Sequence, residues 1–289
     1  MAIAVEFIQP TTWEEALAAR SALPGSVPIA GGTDVMVDLN FDRSRPDALL
    51  DLTRVDDLRE WAEEDAILRI GAGVSYTRLI GELGERLPGL AMAARTIGSP
   101  QIRNRGTVGG NLGAASPAGD SHPPLLAVHA EVELDSVRGL RRVPVREFYA
   151  GPKENVVAGD ELIAAILVAP AAGAEQFSKI GTRNAMVIAA CSFALSIDPV
   201  ARRVGTGIGS AGPTPLAARE AEAFLEGVLD ERDGWEAPVA LGEPAVNRFA
   251  ELVAAAARPI DDVRSSAAYR REALRVLARR TLGWARGAV

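Results

Sequence analysis

The stretch that most constrains this chain is residues 94–120, which hold six glycines and two prolines and show no sustained hydrophobic period. Such a stretch is expected as loops and short turns laid against a scaffold, and a long ordered loop in a compact protein commonly carries function. Inside it stand Thr107, Val108, Gly109, Gly110 and Asn111: a hydroxyl, a small apolar residue, two glycines and an amide. An upstream segment, Ile29, Ala30, Gly31, Gly32, Thr33, Asp34, Val35 and Met36, runs from a short apolar strand into a second glycine pair. Glycines let a backbone take positive φ and approach a ligand closely, and successive N–H groups can converge on an anion such as a pyrophosphate. The threonine hydroxyls add donors. Asp34 would repel phosphate and is expected to hold the turn by accepting backbone N–H bonds. Either segment alone reads equally as a plain Gly-Gly turn; two together suggest a diphosphate held between them. Neither matches Gly-x-Gly-x-x-Gly or the Gly-Lys-Ser/Thr of a P-loop, which disfavours Rossmann and kinase-type sites. Asp120, closing Ser116-Pro117-Ala118-Gly119-Asp120, reads as an acceptor for ribose hydroxyls or as a turn-capping aspartate.

Cysteine usage narrows the chemistry. The 289 residues contain one cysteine, Cys191, so neither an intrachain disulfide nor a Cys-ligated iron–sulfur cluster can form within the chain. The histidines are two, His122 and His129, which leaves few soft metal ligands. Redox chemistry here must use an organic cofactor. A net charge of −7 argues against nucleic-acid binding. The first residues lack the basic and long apolar regions of a signal peptide, and no apolar run reaches the ~18–20 residues of a membrane span, so a cytoplasmic location without membrane contact is expected.

Patterning predicts an α+β chain. Thr12 and Glu15 form a capping box for a helix to about Ala22. Strands are expected over residues 27–30, 48–52, 66–70, 129–135 and 161–168, and a helix over 77–87 that stops at Pro88-Gly89. Near residues 170–173 a boundary is plausible, giving domains 1–172 and 173–289. Beyond it, residues 176–180, 187–197 and 204–210 suggest an antiparallel sheet. Helices follow over 216–229, 244–257 and from about 266, the last with Tyr269, Ala273, Val276 and Leu277 on one face.

The two glycine segments, the longer run from Thr96 to Leu112 and Ser116–Asp120 together resemble the FAD-binding medium subunit of the xanthine dehydrogenase and carbon monoxide dehydrogenase family of molybdenum hydroxylases. Residues 177–183, 212–219 and 262–270 resemble its later motifs, so the likeness covers nearly the whole chain. It implies a p-cresol-methylhydroxylase-type (PCMH-type) FAD-binding domain of two α/β subdomains, followed by a small C-terminal domain with an antiparallel sheet and helices. It also implies noncovalent FAD, with the diphosphate between residues 29–36 and 107–111, and Asp120, Ile163 and Lys179 as further contacts. In such complexes a large molybdopterin subunit hydroxylates the substrate. A small subunit with two [2Fe–2S] clusters relays the electrons to FAD, and NAD⁺, oxygen or another acceptor takes them on. A dimer of heterotrimers is the implied assembly. Thr33-Asp34 and Ser116–Asp120 look more like the xanthine dehydrogenase type than the carbon monoxide dehydrogenase type, pointing to purine or other N-heterocycle hydroxylation. The chain departs from the family at Gly113-Ala114, where an alanine and an asparagine are usual, and in a strand ending at Pro170 that is one residue longer.

Other side chains carry plainer readings. Arg103 and Arg105 could neutralise phosphate, face the cluster subunit or form salt bridges. His122 could suggest covalent flavin attachment, which the resemblance opposes. His129 and Cys191 read as packed residues, and Arg270, Arg271, Arg275, Arg279 and Arg280 as a solvated face or partner contact. A rival reading, a self-contained flavin oxidase of a small alcohol or phenol, lacks a convincing general base.

Overall fold

In the computed structural model, which describes residues 5–236 and 240–287, the described residues build three larger sheets in succession and one two-stranded pair. Of the start read against a signal peptide, residues 1–4 lie outside the described ones. The first sheet is parallel, in the order β1 (Glu6–Ile8), β3 (Ala48–Asp51), β2 (Val27–Ile29). Its crossover helix α1 (Trp13–Ala22) starts at the capping box: Thr12 Oγ1 accepts the Glu15 N–H at 3.2 Å and Glu15 Oε2 accepts the Thr12 N–H at 3.3 Å. Ala16 and Leu17 bury against Leu50 and Leu52. A short helix, α2 (Val35–Asn40), follows β2 and buries none of its residues.

The second sheet runs β4 (Trp61–Glu64), β5 (Ile67–Gly71), β10 (Leu162–Val168), β6 (Glu131–Asp135), β7 (Arg141–Pro144) and is antiparallel throughout. Between β5 and β6 (Glu131–Asp135) the chain inserts five helices: α3 (Tyr76–Glu82), α4 (Pro88–Thr96), α5 (Pro100–Arg105), α6 (Val108–Ala114) and α7 (His122–Ala127). β7 (Arg141–Pro144), α8 (Val145–Phe148), the small pair β8 (Tyr149–Gly151) and β9 (Glu154–Asn155), and β10 (Leu162–Val168) complete the unit. β10 is central and mostly buried, as its apolar run requires. Ala164 is an extra residue on β10, because Ile163 pairs with Leu134 and Ala165 with Glu133. The register shift at this point is a β-bulge.

Two expectations are corrected here. Residues 94–120 are not chiefly loops: the tail of α4 and the whole of α5 and α6 lie in them. Helices of six and seven residues are too short to show a period, and they are fixed by caps, with Ser99 accepting the Ile102 N–H and Thr107 the Gly110 N–H. Pro88-Gly89 does not end a helix running from residue 77. α3 ends at Glu82, and Pro88 opens α4 at its first position, where its missing N–H costs nothing.

The third sheet, β11 (Ala174–Ile180), β12 (Cys191–Asp198), β13 (Arg203–Gly209), is antiparallel. One face carries Phe193, Leu195, Ile197, Val204 and Ile208 and buries against α9 (Arg219–Glu231), α10 (Glu243–Ala256) and α11 (Ala267–Ala285). The other face is small, and α7 lies directly on it: a Cβ on Gly207 would fall 1.9 Å from the Pro123 carbonyl oxygen. On α11 the buried face is Arg270, Ala273, Leu274, Leu277, Ala278, Thr281 and Leu282. Tyr269 is exposed, and Arg270 is not solvated: it is 2% exposed and donates to Asp262 Oδ1 at 2.5 Å and to the Ser210 carbonyl. No helix among the described residues is long and apolar enough to cross a membrane.

Candidate cofactor site

The first glycine pair follows β2. Gly32 has φ +75°, a region that side-chain-bearing residues rarely adopt. Gly31 lies against the α5–α6 junction, where a Cβ would fall 1.9 Å from the Arg105 carbonyl oxygen, so the protein's own packing demands the glycine. Thr33 Oγ1 lies beside Gly106. Among the described residues, the backbone N–H groups of Gly31, Gly32, Thr33 and Asp34 donate to no protein acceptor. Asp34 does not hold the turn as expected. Its backbone is already helical (φ −101°, ψ −51°) and its carboxylate caps nothing, while burial pushes its pKa up. Val35 and Met36 begin α2, with Met36 exposed.

The second pair differs in kind, and the expectation of two equivalent amide nests is corrected. Thr107 to Asn111 form the start of α6, whose N–H groups already have partners. Val108 donates to Val74 O at 3.4 Å, Gly109 to Ala72 O at 3.1 Å, Gly110 to Thr107 Oγ1 at 2.9 Å and Asn111 to Thr107 O at 3.0 Å. The glycines divide their roles. Gly109 is buried against β5's end, where a Cβ would lie 2.4 Å from that of Ala72. Gly110 is exposed, and a Cβ there would meet only Thr107 Oγ1, at 3.0 Å. Asn111 Oδ1 accepts the Ser121 hydroxyl at 2.7 Å, and the Tyr76 hydroxyl lies 3.0 Å from Ser121 Oγ. Tyr76 is fully buried, which drives its pKa up.

Asp120 is 7% exposed and caps no turn. Its Oδ2 accepts Lys179 Nζ at 2.5 Å and the Thr96 hydroxyl at 3.0 Å, while its Oδ1 is buried with no hydrogen-bond partner among the described residues. Burial raises its pKa, against the lowering pull of Lys179 and Thr96. Ile163 sits at the β10 bulge, its Cδ1 3.8 Å from a Cβ built on Gly113, and helps join the two N-terminal cores. The structure thus brings Asp120 to Lys179 and Ile163 to α6, with Asn111, Ser121 and Tyr76 linking the groups.

Between the first two sheets opens a cleft of about 290 Å³. Ala30, Gly31 and Thr107 line it, together with Thr53, Ser75, Arg78, Asn104 and Arg105, and Leu52 and Leu58 supply an apolar wall. Thr53, Ser75 and Arg78 went unremarked in the sequence because no glycine pair marks them; only the fold brings them to the first loop. Arg103 instead donates to the Ile97 and Gly98 carbonyls, at 3.0 and 3.1 Å, tying α4 to α5. His122 is wholly buried, with Nδ1 2.8 Å from the Tyr149 hydroxyl, and burial drives its pKa down to about 3.

Residues 3–171 match the family described as the FAD binding domain in molybdopterin dehydrogenase. The chain belongs to that family. Residues 176–285 match the CO dehydrogenase flavoprotein C-terminal domain. The nicotinate dehydrogenase FAD-subunit of Eubacterium barkeri is 31% identical over 77% of this chain and 79% of its own length. A putative xanthine dehydrogenase FAD-binding subunit of Escherichia coli (strain K12) is 35% identical over 67% and 70%. The solved carbon monoxide dehydrogenase of Hydrogenophaga pseudoflava superposes with a TM-score of 0.88 at 29% identity, covering 98% of each chain. The chain is an oxidoreductase subunit of this family, and its cofactor is FAD. The residues fit that cofactor: among the described residues the N–H groups from Gly31 to Asp34 have no protein acceptor and could meet phosphate oxygens, the cleft beside Gly31 has room for a nucleoside-sized group, and Asp120 Oδ1, buried outside that cleft, could accept a hydrogen bond.

Proposed function

We propose that this chain is the FAD-binding, electron-transferring medium subunit of a molybdenum hydroxylase complex acting on an N-heterocycle. The observation that supports the reading is the run of N–H groups from Gly31 to Asp34, which have no protein acceptor among the described residues and begin at Gly31 in the wall of the cleft. They and the Thr107 hydroxyl would hold the diphosphate, and the open surface at Gly110 lets a ligand approach. Asp120 would accept a hydroxyl or N–H of the cofactor, with Lys179 holding that carboxylate in place. Ile163 packs beneath α6, and Asn111 Oδ1 accepts the Ser121 hydroxyl, tying α6 to the start of α7. Bound FAD takes electrons singly and gives them up singly or as a hydride, which suits a junction between one- and two-electron carriers.

Domains 1–172 and 173–289 would share the work: the first holds the cofactor and the second supplies Lys179. Partners in this reading are a large molybdopterin subunit and a small subunit with two [2Fe–2S] clusters, in a cytoplasmic heterotrimer with NAD⁺ as acceptor. Nicotinate and xanthine, named in two relatives, are both N-heterocycles. This supports the substrate class, and a purine such as xanthine is the first substrate to assay. The test is native co-purification followed by turnover assays with xanthine, nicotinate and NAD⁺. Recovery of a molybdenum-containing large subunit and a cysteine-rich small one, with NAD⁺ reduction on an N-heterocycle, is expected. A flavin-bearing chain that purifies alone from its source cell and oxidises alcohols directly would overturn the proposal.

A further inference from the structure

Strand β11 lies along α4 and grips it at both ends. Glu175, Phe177 and Lys179 alternate onto one face of the strand, spanning roughly 13 Å. At the helix start, Glu175 Oε2 accepts the Gly89 N–H at 3.0 Å. The N-cap residue Leu87 offers no side-chain cap of its own, so the only side-chain cap on this helix start among the described residues comes from another sheet. In the middle, Phe177 packs on Met92 and Ala93. At the helix end, Lys179 Nζ donates to the Thr96 carbonyl at 3.4 Å while holding Asp120 at 2.5 Å. The Thr96 hydroxyl donates to the same Asp120 oxygen at 3.0 Å. An acceptor carboxyl sits at the positive end of the helix and an ammonium at its negative end, matching the helix dipole. Glu175 is only 6% exposed, and a Cβ on Gly89 would come within 3.1 Å of its Oε2, so the contact leaves no slack.

We propose that Glu175 is a positioning residue for the flavin site: by capping α4 from β11 it sets where that helix ends, and hence where Thr96 and Lys179 hold the Asp120 carboxylate. The inference rests on the reading of Asp120 as a cofactor contact. The carboxyl accepts the Gly89 N–H whether ionised or not, so glutamine should replace it and alanine should not.

The test uses the full chain stripped of flavin and retitrated with FAD, reading the dissociation constant from fluorescence quenching and folding from a thermal melt. Asp120→Ala is expected to weaken FAD binding about tenfold or more. Glu175→Ala is expected to weaken it about fivefold, and Glu175→Gln to restore most of that loss. In the Asp120→Ala background, Glu175→Ala should then change the dissociation constant by less than about twofold, because the group it positions is gone. Equal losses in both backgrounds, or a lowered melting temperature with unchanged FAD affinity, would reduce Glu175 to a structural cap and overturn the proposal. An unaltered affinity in Asp120→Ala itself would overturn the cofactor assignment of Asp120, and the positioning role with it. Should Glu175→Ala not fold, Gly89→Ala, which pushes Glu175 off its donor, takes its place in the same cycle.

Discussion

Gly109 and Gly110 are neighbours with opposite obligations. A side chain at Gly109 collides with the backbone and side chain of Ala72, whereas one at the exposed Gly110 meets only the Thr107 hydroxyl, at 3.0 Å. Gly109→Ala should therefore destabilise the fold by about 1–3 kcal/mol through overpacking and leave FAD affinity in the surviving folded fraction nearly intact. Gly110→Leu should do the reverse, with little change in the thermal melt and loss of flavin through purification. Visible absorbance of the retained flavin together with a melt of the flavin-free chain separates the two. Full flavin occupancy in Gly110→Leu would contradict the placement of the cofactor over that surface.

At the scale of elements, α6 depends on its cap. Thr107 Oγ1 accepts the Gly110 N–H, and the helix has only seven residues with which to offset the loss of that bond. Thr107→Ala should cost about 1 kcal/mol of unfolding free energy, and Thr107→Ser much less; urea melts of the flavin-free chain measure both. The same helix shows how far the sequence could be read. Long elements with a period or a cap were legible: the Thr12–Glu15 box, the buried run of β10, the three strands of the last sheet and the helix capped by Ser266. The glycine segments were legible as special backbone. Their kind was not, because a Thr-x-Gly-Gly sequence serves a turn and a helix start alike, and only the carbonyls of Ala72 and Val74, donated by a distant strand end, decide between them. The pairing of Asp120 with Lys179 joins the α6–α7 loop to the third sheet and has no local signature at all.

At the scale of the whole molecule, three shifted groups lie along the seam where α4 and α7 meet the third sheet. His122, on α7, is wholly buried and neutral, with burial driving its pKa to about 3 from an ordinary 6.5. His129 is driven to about 4 by burial and by the charges of Arg203 and Arg146. The folded chain binds fewer protons than the unfolded one at these sites, so they contribute stability that is fully present above about pH 6.5 and is lost as pH falls toward their folded values. Glu175 has the opposite sign. Burial raises it to about 7 from 4.5, against the lowering pull of the Gly89 N–H bond, so its contribution is full below about pH 4.5 and is lost as pH rises through about 7. Glu175 lines a small cavity together with His129, Asp198 and Arg203. Glu175→Gln cannot ionise, so its stability relative to the parent should rise between about pH 5 and about pH 8, by on the order of 3 kcal/mol at most. His122→Asn should flatten the acid side instead, keeping a polar group near Tyr149 but removing the site that protonates on unfolding. Thermal melts of the parent and both variants across that range decide the matter: offsets independent of pH in both would mean that neither buried group titrates with the fold, and a Glu175→Gln curve converging on the parent at high pH would reverse the sign assigned here.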